Sequence, residues 1–126
     1  MLLKLTISKK FFYEAIEELE KRPENVVYIG TVIGHTDDYF PVDICLELIK
    51  NVNENGEHKY LSRITCPNKG VYSCHLYSTY EYIQSHHDTY LDEVIKSLNT
   101  YQSNILEWFE GKYDKLEIEV IDNVVS

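Results

Sequence analysis

Basic residues are in short supply in this chain, and they never gather. Twelve Lys and Arg face twenty-one Asp and Glu, a formal net charge of -9 over 126 residues. Phosphate backbones are held by clustered cations. The densest basic spots here, Lys9-Lys10 and Lys21-Arg22, are each followed closely by acids. Direct nucleic-acid binding and docking on an anionic membrane are therefore disfavoured. No apolar run approaches the roughly 20 residues that cross a bilayer. The segment Met1–Ile7 is too short and too alternating for a signal peptide, so the expected location is the cytoplasm.

Cysteine is sparse as well. Cys45, Cys66 and Cys74 form an odd set without CxxC spacing, which argues against a disulfide framework and a zinc ribbon, and predicts small buried hydrophobes. Three Pro and five Gly exclude a linker-dominated chain. GxGxxG, Walker A, GxSxG and HExxH motifs are all missing, so nucleotide-dependent and common hydrolytic chemistries lack their signatures.

What is present is ample apolar and aromatic material: 44% hydrophobic residues and 11 Tyr, enough for one globular domain over residues 1–126. Leu3, Leu5 and Ile7 alternate with Lys4 and Thr6 as a short strand does. Ser8 caps an expected helix from about 9 to 22, with Phe12, Ala15, Ile16 and Leu19 on one stripe and Pro23 as its stop. Val26–Ile33 is apolar and β-branched, the signature of a strand covered on both faces, and Gly34–Asp38 reads as a turn.

From Phe40 the alternation resumes, with Val42, Ile44, Leu46 and Leu48 on one face and Asp43, Cys45 and Glu47 on the other. Asn53–Gly56 carries an Asn-Gly hairpin signal, returning through His58–Thr65, and Pro67–Gly70 turns the chain into a further strand at Val71–Tyr77. Ser78 to Glu81 fits a capping box for a short helix ending near Ser85. After His86-His87-Asp88, the residues Leu91, Val94, Ile95, Leu98, Tyr101, Ile105 and Phe109 keep helical spacing for about five turns, with Gly111 as terminator. Leu116, Ile118 and Val120 alternate with Glu117 and Glu119 in a last strand. The expected fold class is α+β: an antiparallel or mixed sheet of five to six strands with two to three helices packed mainly on one face.

Three constellations invite a chemical reading. Cys66, Cys74, His75 and His86-His87-Asp88 have metal-ligating types, but no spacing that brings them together, so no metal or cofactor is expected. His35 beside Asp37 and Asp38 offers an acid–base loop, although Asp residues in turns more often bond their own backbone. The third constellation is acidic. One part is the first helix, with Glu14, Glu17, Glu18, Glu20 and Glu24; the other is Glu107, Glu110, Asp114, Glu117, Glu119 and Asp122. Tyr77, Tyr80 and Tyr82 lie in the Tyr-rich third of the chain and suit interface anchors.

The residues expected to bind a partner are thus Glu107, Glu110, Asp114, Glu117, Glu119 and Asp122 with Tyr77, Tyr80 and Tyr82. Many cytosolic proteins are acidic for solubility alone, and charges on an edge strand also blunt aggregation. The leading expectation is a small acidic non-enzymatic protein that binds and inhibits a basic protein, as an immunity protein does in neutralising a toxic nuclease. One alternative is a phage antidefence inhibitor, anti-CRISPR-like, of a nucleic-acid-binding effector. Another is a small enzyme or ligand-binding domain built on the His35, Asp37 and Asp38 loop.

Overall fold

The computed structural model describes residues 1–23, 26–36 and 41–122, and within 26–36 and at 41 it describes the backbone path alone. The fold is α+β. Strand β1 (Leu2–Ser8) leads into helix α1 (Lys9–Glu20), and β2 (Val26–Thr36), β3 (Pro41–Val52) and β4 (His58–Cys66) follow as a meander. Two short strands, β5 (Gly70–Ser73) and β6 (Ser78–Thr79), precede helices α2 (Tyr80–Ser85), α3 (Tyr90–Leu98) and α4 (Gln102–Glu107). Strand β7 (Lys115–Ile121) ends the order.

The sheet is mixed, with strands in the order β5-β4-β3-β2-β1-β7 and β6 beside β4. Every pair is antiparallel except β1 with β7, which run parallel from Leu2–Lys115 to Ser8–Ile121. Among the described residues there are 7 strands counting the two-residue β6, against five to six expected, and four α-helices against two to three.

The period-two patterns decide which face is covered. Leu3, Leu5 and Ile7 of β1, Ile44, Leu46 and Leu48 of β3, and Tyr60 and Ile64 of β4 are buried, while their neighbours in sequence are more open. Phe12, Ile16 and Leu19 of α1, Ile83 of α2, Leu91, Val94 and Leu98 of α3, and Ile105 of α4 complete the same cluster. Each such aliphatic side chain stabilises the fold by about 1.5–3 kcal/mol when withdrawn from water.

Several elements differ from the sequence expectation, each for a local reason. Gly34, His35 and Thr36 are strand rather than turn, because β1 lies antiparallel to them and pairs Lys4 with His35. The hairpin after β3 is no two-residue turn: the Asn53 Oδ1 accepts from the N–H groups of Asn55 and Glu57, and Gly56 takes the left-handed backbone at φ 78°. The strand expected at Val71–Tyr77 ends at Ser73. Cys74 N–H then bonds Ser62 O at 2.8 Å, and the chain rejoins β4 only at Ser78.

Ser78 is therefore strand, and the cap of α2 moves one residue on: Thr79 Oγ1 accepts from Tyr82 N at 3.2 Å. The five-turn helix is broken into α3, a 3-10 turn at Asn99–Tyr101, and α4. Ser97, Asn99 and Thr100 compete there with the helical backbone: Thr100 Oγ1 donates to Ser97 O, and Ser97 Oγ takes His75 N–H. Ser8 behaves as expected, its Oγ accepting from Phe11 N at 3.2 Å. No helix is long and apolar enough to cross a membrane among the described residues.

Candidate functional site: an acidic sheet edge

Strand β7 is the last strand of the sheet, and on its outer side no described strand pairs with it. Alternation along it sends Leu116 into the core and leaves Ile118 and Val120 half-buried against that core. Glu117 and Glu119 take the opposite face, also half-exposed. Lys4 on the neighbouring strand reaches Glu119 at 3.7 Å, whereas Glu117 forms no ion pair among the described residues. Gln102 Nε2 donates to Leu116 O at 2.6 Å and ties α4 to the start of the strand.

Glu107 and Glu110 sit just before this strand, both exposed. Glu107 ends α4, where the helix dipole favours a cation. Glu110 occupies left-handed backbone at φ 52°, a conformation that favours Gly. Neither residue is where local backbone chemistry would put an acid. Asp114 is paired: its Oδ2 lies 2.9 Å from the Met1 ammonium, and its N–H bonds Met1 O. Asp122 is exposed at the far end of β7. Across residues 107–122, Glu107, Glu110, Asp114, Glu117, Glu119 and Asp122 outweigh Lys112 and Lys115, the two lysines of that stretch.

The tyrosines named with this surface come from other elements than β7. Tyr80 and Tyr82 belong to α2, which follows β6 on the β4 side of the sheet. Four strand spacings of about 4.8 Å each separate β4 from β7, roughly 19 Å in all, although Glu17, which Tyr80 bonds, lines one depression together with Asp122. Both hydroxyls are also engaged. Tyr80 Oη lies 2.8 Å from both carboxylate oxygens of Glu17, between which its one proton is shared, and Gln84 Nε2 donates to the same carboxylate at 2.6 Å. Desolvation and then the Glu17 carboxylate push the Tyr80 phenol up to about 12. Tyr82 Oη donates to Glu93 Oε2 at 3.2 Å, while its ring stacks on His86. These two tyrosines staple helices to one another. Tyr77 is 46% exposed near Lys59, whose Nζ stands 5.9 Å from the ring centroid.

The described acids of α1 also have partners within the molecule, although Glu14 and Glu18 stay largely exposed. Tyr60 Oη donates to Glu20 Oε2 at 2.6 Å, and His58 Nδ1 stands 3.1 Å from the same oxygen without hydrogen-bond alignment. Lys21 pairs with Glu18 and Lys10 with Glu14. Glu24 lies outside the described residues, as do Asp37 and Asp38, so of the proposed acid–base loop only the backbone of His35 is placed, in β2.

Sequence reasoning missed two polar features. Lys50 is fully buried, its Nζ donating to Leu19 O at 2.7 Å and to Arg22 O, so a strand lysine closes the end of α1. The signal was available: position 50 continues the inward series Ile44, Leu46, Leu48. On the open face of the sheet, Arg63 Nε bonds Glu47 Oε2 at 2.8 Å, Thr65 Oγ1 donates to Glu47 Oε1, and Cys45 Sγ lies 3.1 Å from Thr65 Oγ1. An open depression of about 400 Å³ adjoins Glu47, Arg63 and Lys69.

The thiols of Cys66 and Cys74 are pushed up by burial, which suppresses the thiolate a nucleophile needs. Among the described residues no three His, Cys, Asp or Glu converge as a metal site. His86 and His87 stack on Tyr82 and Tyr13 instead. No protein-family model, curated protein or solved structure matches this chain.

Proposed function

We propose that this chain is a binding protein for a basic partner and that it inhibits that partner by occlusion, as an immunity protein does with a nuclease toxin. The observation that carries this reading is the placement of Glu107, Glu110 and Glu117. None of the three forms an ion pair among the described residues, and two of them occupy backbone positions that disfavour an acid. Opposite potentials across an interface speed encounter and suppress wrong partners. An acidic margin of this kind stands in for the phosphates that a nuclease binds, and inhibition then requires no chemistry from the inhibitor.

Affinity capture from the native cell at low salt, eluted along a salt gradient, tests the reading. One stoichiometric basic protein is expected, released as salt rises. The double variant Glu117→Lys/Glu119→Lys is expected to slow association by on the order of tenfold or more, because steering charges act chiefly on the on-rate. A partner that binds the reversed variant equally well, with no salt dependence, would remove electrostatic recognition.

A further inference from the structure

We infer that the outer edge of β7 is the docking element itself, and that it takes up an extended segment of the basic partner as an additional strand. This rests on the reading just given and names where and how the partner is held. Backbone groups that face no strand are a template for pairing. Gln102 holds the carbonyl of Leu116, so the stretch left to a partner is Glu117–Ile121.

The two faces of that stretch specify the segment. Ile118 and Val120 are only half-covered, and apolar side chains on an added strand would continue the core layer past them. Glu117 and Glu119 project from the other face, where one lysine, Lys4, serves Glu119 and none serves Glu117 among the described residues. Lys or Arg at alternate positions of the incoming strand would stand directly across from them, within reach of a cross-strand pair. The occupant is therefore a strand alternating basic and apolar residues.

A second copy of this chain suits the same edge less well. Antiparallel pairing of β7 with itself about Ile118 sets each Glu117 opposite the other copy's Glu119, pairing about Glu119 sets Glu119 opposite Glu119, and like charges directly opposite repel. In these registers the acids disfavour self-pairing and favour a cationic strand.

Backbone amide exchange of the full chain with two synthetic peptides decides the matter. One peptide alternates Lys and Val over eight residues; the other has the same composition with the four Lys and four Val in blocks. The alternating peptide is expected to slow exchange within Glu117–Ile121 by on the order of tenfold, and the block peptide is expected to leave it unchanged. Glu117→Lys/Glu119→Lys should abolish that protection while circular dichroism stays as in the parent chain.

If both peptides bind without protecting β7, strand addition is overturned while attraction to a basic partner stands. If neither binds, strand addition is overturned as well, and the capture experiment decides the broader reading. Protection that rises with protein concentration in the absence of peptide overturns the inference in favour of self-pairing.

Discussion

Lys50 shows most sharply how one side chain reconciles the sheet with the helix above it. An ammonium withdrawn from water is costly unless its donors are used. Here they meet Leu19 O, which also accepts Arg22 N–H at 3.0 Å, and Arg22 O, at the end of α1 where the dipole favours a cation. Lys50→Met keeps the bulk and removes the donors, and equilibrium denaturation should show a loss of about 1–3 kcal/mol. Gly70 is constrained by the same close packing: a Cβ there would come within 3.2 Å of the Trp108 ring, which stacks with Tyr72. Such details were readable only in part. Position 50 sits in a visible alternation, so its burial could be inferred. Which carbonyls it meets depends on how α1 lies across β3, and no local pattern encodes that.

At the scale of elements, the sequence was legible wherever a period was long and undisturbed. Strands β1, β3, β4 and β7 and helix α1 fall where their apolar spacing puts them. The failures share a cause. Thr79, Ser97 and Thr100 have side chains that bond backbone in several ways: Thr79 and Thr100 took local partners and Ser97 a distant one, His75 N–H. The β2 pairing across Gly34–Thr36 was hidden because turn-forming residues stay extended when a neighbouring strand takes their backbone bonds.

The acidic group along β7 was legible as an alternation, whereas the attachment of Tyr80 and Tyr82 to a helix beside β4 follows from strand order, which periodicity does not carry. Those tyrosines now read as ties between elements. Tyr80→Phe removes the phenol proton that the Glu17 carboxylate accepts and loosens α2 from α1. Because the site is near the surface, urea unfolding should register a loss of about 0.5–1.5 kcal/mol, without loss of binding at β7.

The molecule as a whole carries a pH signature written in phenols. Burial raises Tyr13, Tyr60 and Tyr90 above the ordinary value of 10.0, and desolvation with the Glu17 carboxylate raises Tyr80 to about 12. A raised folded value means the native chain keeps protons that the unfolded chain releases. The stabilisation is intact below pH 10 and is lost as pH climbs toward 12 and beyond. Melting temperature measured from pH 8 upward should stay level on this account until about pH 10 and then fall, with Tyr80→Phe flattening part of the descent. A melt curve indifferent to pH across that range would contradict the buried phenols.

The parallel pairing of β1 with β7 also has a consequence for biosynthesis. Met1 and Asp114 are 113 positions apart, yet they touch. A ribosome delivers β1 among the first residues and β7 among the last of the described chain. While the residues between the two strands are being made, β1 therefore has one flank with no neighbour, and the strand that fills it is the same one that presents the acidic margin. A message cut short before residue 115 yields a nascent chain that is at once prone to cling to other polypeptides and without its docking strand.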